Sequence, residues 1–406
     1  LLFLLDGLDE VSSAHDRQRV ARWIEDARWA QPDNYFLVSC RFAGYTLDAQ
    51  LDEHFLQLHL RPMSSAQVEQ FVRNWYGIVE RATMVDPEQA EVRAEQGAQA
   101  LLETLRRPEM ASARVYTMTH NPLLLTTICL VHRDRGELPR ERALLYDEAV
   151  SVLLERWRRI TKELDVTFPT REARRVLQPV AWWMHQQQER TRATAAELDA
   201  VVTEGLRSID RSEVSAAEFL ETIRDESGLL TGWGIDEFGF MHLGFQEFLA
   251  AKAIRDRAFD DDALLEQLAR GFGDSWWQEV ILLMLAQDTP PLFGRLMAHV
   301  VRQPEFVRWA GSEMMALCLN DAERVSPAPF VELVRGMSEH EPVWRRAWRW
   351  LSGSQDAELE ARQVAALELL RQRMPEPLEG LRDVLAQHRS PAVRAWWQRW
   401  QGRPVR

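Results

Sequence analysis

The distribution of apolar residues divides the chain into a short front part and a long helical remainder. Three apolar runs, at residues 1–5, 35–42 and 55–60, have the length of strands. The first has no polar alternation, which is typical of a strand buried on both faces of a parallel sheet. Between the first two runs, residues 12–30 show helical spacing at Val20, Trp23, Ile24 and Ala27. This order predicts a right-handed strand–helix–strand unit, followed by a third strand.

From residue 62 onward the pattern is helical. Ser64 and Gln67 have the spacing of a capping box at a helix start, and Asn121-Pro122 is a second start signal. Residues 77–100 are rich in Ala, Glu and Gln, which predicts an exposed helical excursion. Gly136 separates two later helices.

Residues 227–254 break the helical pattern once. Two short apolar segments, at 229–230 and 238–241, flank a Gly-rich turn, which predicts a β-hairpin, and a helix begins near Gly244. Two or three helices are predicted before this hairpin, and helices followed by a hairpin resemble a winged helix. After Phe259 the chain is helical and Trp-rich, with helices predicted at 274–286, 341–351 and 390–400.

Composition narrows the function classes. The chain has 406 residues, 46% of them hydrophobic, and a net charge of −13, which argues against non-specific binding to nucleic acid or anionic membranes. Its three cysteines lie far apart and indicate a reducing, cytoplasmic compartment without a disulfide framework or a zinc site. No apolar run has the roughly 18 residues that a membrane span needs, so no membrane partner is expected.

Three carboxylates, Asp6, Asp9 and Glu10, follow the first apolar run directly. Ligands of a parallel sheet bind beyond the carboxyl ends of its strands. Carboxylates there suit a hydrated Mg²⁺ on a nucleotide phosphate, and a neighbouring one can orient water. The alternative is a solvated turn at the end of a strand.

Four segments together resemble the NACHT family of signal-transducing P-loop NTPases, a branch of the STAND class. They are LLFLLDGLDEV as Walker B, LVSCRF as the sensor strand, NPLLLTTICLVHRDRGELPRERALLYDEAV as the helical domain, and FGFMHLGFQEFLAA as the winged helix. The resemblance implies a multidomain α/β and α architecture. Its domains are the end of the nucleotide-binding domain (1–61), a helical domain (62–160), a winged-helix domain (161–257) and an all-α, possibly HEAT-like, region (258–406).

The resemblance also implies site residues, with ATP or ADP and Mg²⁺ as ligands. Asp6 would hold the Mg²⁺ shell, Asp9 and Glu10 would position or polarise the attacking water, and Arg41 would read the γ-phosphate. In the family, residues at the positions of Pro122 and His242 contact the adenine ring and the β-phosphate of ADP.

Each of the last three assignments has a plainer alternative. Arg41 would instead be a surface arginine paired with Asp9 or Glu10. Pro122 would be an ordinary proline of a first helical turn, which does not exclude an adenine contact. His242 would be a histidine satisfied within the core, whereas Phe245 and Phe248 are interpreted as core packing only.

No segment matches GxxxxGK[ST], and the only two lysines, Lys162 and Lys252, follow no glycine-rich loop. Without that loop, backbone amides and a lysine to neutralise phosphates are missing. We therefore expect an N-terminally truncated fragment that does not hydrolyse ATP efficiently, derived from a parent protein that is a slow ATPase.

The leading hypothesis is a signalling switch in defence or signal transduction, again implied by the resemblance. ADP would hold the winged-helix domain against the nucleotide-binding domain through His242, and ATP would release it for self-association. The C-terminal helices would sense an unknown trigger ligand. The alternative is a non-catalytic helical scaffold. A nucleic-acid-directed winged helix is disfavoured by the acidity, and the Trp/Arg pattern at 344–350 and 394–400 is better explained by buried helix stripes than by base stacking.

Overall fold

A computed structural model describes residues 1–8, 11, 14–40, 50–111, 114–155, 167–232, 236–258, 261–287, 292–336 and 354–401. The chain divides into two compact units, residues 1–62 and 63–406, which are described separately. The helical, winged-helix and C-terminal regions predicted from the sequence all lie within the second unit.

The first unit contains the predicted strand–helix–strand motif. Strand β1 (Leu2–Leu5) pairs in parallel with β2 (Tyr35–Val38), and helix α1 (Ala14–Ala30) connects them. The register runs from Leu2 opposite Tyr35 to Leu5 opposite Val38. Exposed and covered side chains alternate along each strand, and Phe3 and Phe36 are paired in register, so they lie on the same face, where their rings stack 4.9 Å apart.

The prediction for the faces of β1 is wrong, and the prediction for α1 is right in part. Leu2 and Leu4 on β1 are 62% and 65% exposed, so the strand is covered on one face only. On α1, Ile24 of the predicted stripe is buried, as are Arg17 and Ala21, whereas Trp23 of the same stripe is exposed. The covered face of the helix therefore includes the aliphatic part of an arginine.

The predicted third strand is also wrong. Residues 55–60 form neither a strand nor a helix, although their apolar residues alternate. Leu56, Leu58 and Leu60 are all largely exposed. A strand needs a hydrogen-bonded neighbour, and within the described part of this unit β1 and β2 pair only with each other.

The second unit begins with a helical hairpin and then a series of shorter helices. Helices α2 (Ser65–Thr83) and α3 (Pro87–Arg106) pack along each other, and the predicted capping box at Ser64 and Gln67 is present. The other helices of this part are α4 (Pro108–Ala111), α5 (Arg114–Met118), α6 (Pro122–Arg135) and α7 (Arg142–Glu155). Gly136 ends α6 with a φ of 79°, in the left-handed region that glycine adopts without strain.

Helix α3 corrects the prediction of an exposed excursion over 77–100. Its composition is polar, but Ala90, Ala94 and Ala98 form a fully or nearly buried stripe that continues into three leucines. Alanine at every fourth position lets α3 approach α2 closely. Tyr76 of α2 fills the interface, and its hydroxyl is hydrogen-bonded to Nδ1 of His132 on α6, at 2.7 Å.

A compact module of helices and short strands follows. It consists of α8 (Thr170–His185), β3 (Ala193–Thr194), α9 (Ala195–Arg207), α10 (Ala216–Ser227), β4 (Leu230–Gly232) and β5 (Glu237–Phe240). The predicted hairpin is β4 and β5, and β3 adds an unpredicted third antiparallel strand on the other edge of β5. This order of elements is that of a winged helix. Helix α11 (Leu243–Ala258) follows and packs along α8.

The remaining described residues are helical. The helices are α12 (Asp262–Arg270), α13 (Ser275–Leu285), α14 (Phe293–Val300), α15 (Phe306–Trp309), α16 (Glu313–Asp321), α17 (Ala328–Arg335), α18 (Ser354–Arg373), α19 (Glu376–Glu379), α20 (Arg382–Ala386) and α21 (Pro391–Gln401). Trp396 and Trp397 on α21 are buried, which agrees with a packed stripe and not with stacking on bases. The helix predicted at 341–351 lies outside the described residues.

One continuous hydrophobic core runs through the second unit, from α2 to α21. Among the residues that the structure describes, no helix combines the length and the apolar character needed to cross a bilayer.

Candidate functional site

Asp6 lies directly after β1, at the edge of the sheet where ligands of parallel strands bind. The hydroxyl of Ser39, which follows β2, donates a hydrogen bond to Oδ1 of Asp6 and accepts one from the Gly7 amide at 2.9 Å. Gly7 has a φ of 76°, which lets the chain turn sharply after Asp6. The two strand ends thus place a carboxylate and a hydroxyl side by side, and sequence reasoning missed the contribution of Ser39.

These two side chains suit a hard cation, because Mg²⁺ prefers carboxylate and hydroxyl oxygens. The described residues alone include no group of three or more His, Cys, Asp or Glu side chains that could hold a metal ion. Asp9, Glu10 and Arg41, the other predicted members of this site, lie outside the described residues. Asp6 and Ser39 therefore fit part of a metal shell.

Pro122 is the first residue of α6 and its side chain is exposed. The helix begins as predicted, because the carboxamide of Asn121 accepts hydrogen bonds from the amides of Leu123 and Leu124, at 2.9 and 3.3 Å. An exposed proline ring at a capped helix start is a rigid apolar surface. It is compatible with a planar ligand and equally with the ordinary first-turn role.

His242 lies between β5 and α11, where the hairpin returns into a helix. The Gly244 amide donates a hydrogen bond to Nδ1 of His242 at 2.9 Å. In a neutral imidazole only one nitrogen accepts, so the hydrogen resides on Nε2. The backbone at this junction therefore fixes both the tautomer and the orientation of the ring, and makes Nε2 a hydrogen-bond donor.

Tyr146 of α7 packs against this junction at Gly244. A methyl group on Gly244 would lie 2.9 Å from Cζ of Tyr146, closer still to its hydroxyl oxygen, and 2.9 Å from Nδ1 of His242. Only glycine therefore lets the phenol and the imidazole approach each other so closely.

Two phenylalanines of α11 hold the phenol in place. The ring of Phe245 meets Tyr146 edge-on with centroids 5.6 Å apart, and the ring of Phe248 stacks on it at 5.8 Å. Both phenylalanines are fully or almost fully buried, as the sequence predicted. Burial also raises the pKa of Tyr146 well above its usual value, so the hydroxyl remains protonated.

An ion cluster joins α7, α8 and α11 below the aromatic group. Asp147 accepts hydrogen bonds from Lys252 at 2.9 Å and from Arg174 at 3.1 Å. Burial alone would raise the pKa of Asp147, but the hydrogen bond from Lys252 and the charge of Arg174 outweigh it and lower that pKa. The charges of the cluster pair across all three helices, so we interpret it as structural.

A second cluster, of one arginine and three carboxylates, lies where α7, α11, α13 and α16 meet. Arg142 donates to Glu279 at 2.7 Å and to Asp321 at 3.4 Å. Glu247 of α11 is buried close by, and its pKa is raised to about 8 by burial and by the charge of Glu279, against the opposing effect of Arg142. Glu247 is consequently protonated at neutral pH.

Replacement of Glu247 by glutamine should flatten the dependence of stability on pH. The carboxyl binds its proton more tightly in the folded than in the unfolded chain, so wild-type stability falls as pH rises from about 4.5 to about 8. We expect the loss of unfolding free energy over this pH range to be smaller by about 1–2 kcal/mol in E247Q than in the wild type, because the polar cluster can relax around the charge. Urea unfolding at pH 5 and at pH 8.5 measures it, and an unchanged slope would show that Glu247 is ionised throughout.

His185 joins the winged-helix module to the C-terminal helices. Its Nε2 donates to the carbonyl oxygen of Trp276 at 2.9 Å, and the Trp276 indole donates back to the His185 carbonyl at 2.8 Å. The two rings stack 4.3 Å apart, and the carboxamide of Gln246 lies 3.5 Å from Nδ1. Burial lowers the pKa of His185 to about 4, so the ring is neutral and serves packing, not chemistry.

Within the second unit, the predicted residues Pro122 and His242 lie on different elements that both adjoin α7. Helix α7 packs against α6, which begins at Pro122, and against α11, which follows His242. Sequence reasoning missed Tyr146, which packs at the junction from α7, and the buried Glu247 of α11. The signal was present in part, because both residues fall within two of the four segments on which the resemblance rests.

Comparison with known families agrees with the order of elements. Residues 142–254 match the family described as the winged helix-turn-helix domain C-terminal to NACHT. The match begins with α7, earlier than the winged-helix boundary predicted at residue 161, and ends within α11. A search of curated proteins found no match. The match, with the three-stranded sheet and the helices in the expected order, identifies residues 142–254 as a winged helix-turn-helix domain of the kind that lies C-terminal to NACHT, and it supports the assignment of this chain to a NACHT-domain protein.

Proposed function

We propose that this protein is a nucleotide-responsive signalling switch in which His242 reads the phosphates of ADP. The observation that supports the proposal most is the hydrogen bond from the Gly244 amide to Nδ1 of His242. It places the hydrogen of the imidazole on Nε2, on a ring whose orientation is fixed at the start of a helix. A neutral donor stabilises a phosphate oxygen without the desolvation cost of a full charge.

The position of His242 also supports a conformational role. The hairpin, α11 and α7 meet at this residue, so a bond between its imidazole and a ligand would tie three elements to that ligand. Within the first unit, taken by itself, Asp6 and Ser39 supply oxygen atoms that suit Mg²⁺, which accompanies nucleotide phosphates. Pro122 offers an exposed ring for the base. A ligand that loses the His242 bond would favour a second arrangement, which we propose exposes a surface for self-association.

Charge on the winged helix argues against a nucleic-acid function. In a winged helix that reads DNA, the helix before the hairpin enters the groove and contacts phosphates. Here that helix is α10, and its polar residues include Glu218, Glu221, Asp225 and Glu226. Carboxylates on such a helix repel a polyanion, so the module is better suited to contacts within the protein.

Replacement of His242 by alanine should weaken ADP retention in the full-length protein. A hydrogen bond to a charged group contributes about 1.5–3 kcal/mol, so we expect ADP to bind roughly tenfold to a hundredfold less tightly. ADP content after purification, measured by chromatography, and molecular mass in ADP and in ATP, measured by light scattering, test this. We expect the variant to self-associate without ATP.

The matched control is His15→Ala, which removes an exposed imidazole from α1. It should leave nucleotide content and mass unchanged. If His242→Ala behaves like His15→Ala in both measurements, the switch is refuted. The protein would then be a helical scaffold whose winged-helix module has lost any dependence on nucleotide.

A further inference from the structure

A series of ion pairs, electrostatic interactions and close contacts connects the C-terminal helices with the His242 junction. It begins with Glu279 on α13 and Asp321 on α16, which bind Arg142 at the start of α7. It continues through Glu247 and Tyr146. It ends at Gly244 and His242, more than 30 residues in sequence from either carboxylate of the C-terminal helices.

We propose that Arg142 is a latch through which the C-terminal helices control the conformation of the His242 junction. With the latch closed, α13 and α16 hold Arg142, and α7 presses Tyr146 against Gly244. With the latch open, α7 loses its anchor, and the contact between the phenol and the junction loosens. The latch rests on the proposed function in one respect, because it names the C-terminal helices as the region that controls the switch. The coupling between Arg142 and the His242 junction can be tested without nucleotide.

The first step of the argument is the partnership of Arg142. Its side chain is only 17% exposed, and the two carboxylates that it binds, Glu279 and Asp321, belong to the C-terminal helices, 137 and 179 positions further along the chain. A guanidinium that is largely removed from water needs its carboxylates, because an unpaired buried charge is costly. Movement of α13 or α16 would therefore be felt directly at the start of α7.

The second step is the position of Glu247 and Tyr146 beside the latch. The charges of Arg142 and Glu279 act on the ionisation of both side chains, which places all four groups within one electrostatic neighbourhood. Arg142 is the cation that pairs with the charges of Glu279 and Asp321. If Arg142 is withdrawn, these two carboxylates repel each other unless one of them binds a proton or the helices that carry them, α13 and α16, move apart.

The third step is the lack of free space at the junction. Gly244 is buried between the Tyr146 hydroxyl and the imidazole of His242, where even a methyl group does not fit. A closely packed contact of this kind transmits a displacement because it cannot absorb one. A shift of α7 would therefore break or realign the hydrogen bond from the Gly244 amide to His242.

Hydrogen exchange measured by mass spectrometry on the whole chain tests the latch without any nucleotide. The double variant Glu279→Gln and Asp321→Asn removes both charges that hold Arg142, and neither residue touches the junction. We expect amides of residues 240–248 to exchange roughly tenfold faster, because the bond at Gly244 opens more often. Arg142→Lys keeps the positive charge but loses the planar guanidinium that can bind two carboxylates at once. It should give an intermediate increase in the exchange rate of these amides.

The matched control is Glu313→Gln, which neutralises an exposed carboxylate on the same helix as Asp321. It should leave exchange at 240–248 unchanged. Faster exchange confined to α13 and α16 in the double variant would overturn the latch, since the bonds would then serve local packing only. If the double variant does not fold, Glu279→Gln alone weakens the shorter of the two bonds to Arg142. Faster exchange at 240–248 in that variant supports the latch, and faster exchange confined to α13 and α16 overturns it.

The two proposals can fail separately. If His242→Ala does not change ADP retention but the double variant loosens residues 240–248, the latch holds and the nucleotide switch is wrong. If His242→Ala releases ADP but exchange at 240–248 is unaffected by the double variant, the switch holds and its input lies elsewhere.

Discussion

Replacement of Gly244 by alanine is expected to destabilise the second unit by about 1–3 kcal/mol, the usual cost of overpacking a dense core. Within a helix, alanine ordinarily stabilises the folded state by up to about 1 kcal/mol relative to glycine. A decrease in the free energy of unfolding would therefore mean that steric conflict outweighs helix propensity. The conflict is with Tyr146 and His242, which are both closer to the new methyl group than real Cβ atoms approach their neighbours. The midpoint of urea unfolding measures it.

The same variant should disturb the junction beyond its effect on stability. Tyr146→Phe removes the hydroxyl that makes the closest contact, so the double variant should recover part of the loss, with a coupling energy of about 1 kcal/mol. Gly294→Ala on α14 is the control, because its methyl group would meet only ordinary contacts at 3.6 Å. Additive losses from the two substitutions would show that Tyr146 does not limit the space at Gly244.

Replacement of Gly97 by alanine is the second change with a large expected effect. A methyl group there would lie 2.7 Å from Cδ1 of Tyr76 and closer still to Cε1. The Tyr76 ring is 2% exposed and hydrogen-bonded to His132, so it has no alternative position. We expect a loss of about 3 kcal/mol, at the upper end of the usual overpacking cost, in the free energy of unfolding.

Gly77, one position after Tyr76 on α2, provides the matched control. Its added methyl group would approach only the end of the flexible Arg81 side chain, at 3.2 Å. Gly77→Ala should therefore be neutral, or stabilising by up to about 1 kcal/mol through helix propensity. Equal losses from both alanines would contradict the close approach of α2 and α3.

The sequence predicted correctly those helices and strands whose ends are marked by capping or turn residues. The Ser64 cap, the Asn121-Pro122 start, the Gly136 stop and the hairpin at 229–241 all depend on residues within a few positions of each other. Such features are decided before tertiary contacts form, so a single sequence contains the information.

The wrong predictions concern which face of an element is buried and which element it packs against, because a local sequence pattern determines neither. The alternation at 55–60 is that of a strand, but pairing requires a neighbour that no local pattern specifies. Helix α3 appeared polar because alanine is a weak hydrophobic signal, although alanine is what close helix packing demands. Ser39 beside Asp6, and Tyr146 beside Gly244, come together only through the register of β1 with β2 and the packing of α7 on α11.

The His185–Trp276 contact has a consequence for where this protein can be divided. The family match ends at residue 254, within α11, yet His185 of α8 is covered by Trp276 and Trp277, which come after that limit. A polypeptide cut at 254 would present a neutral imidazole and the adjoining Trp182 to water. The unit that sequence similarity defines is therefore shorter than the unit that unfolds cooperatively, and in evolution the winged helix and the helices behind it are expected to be inherited together.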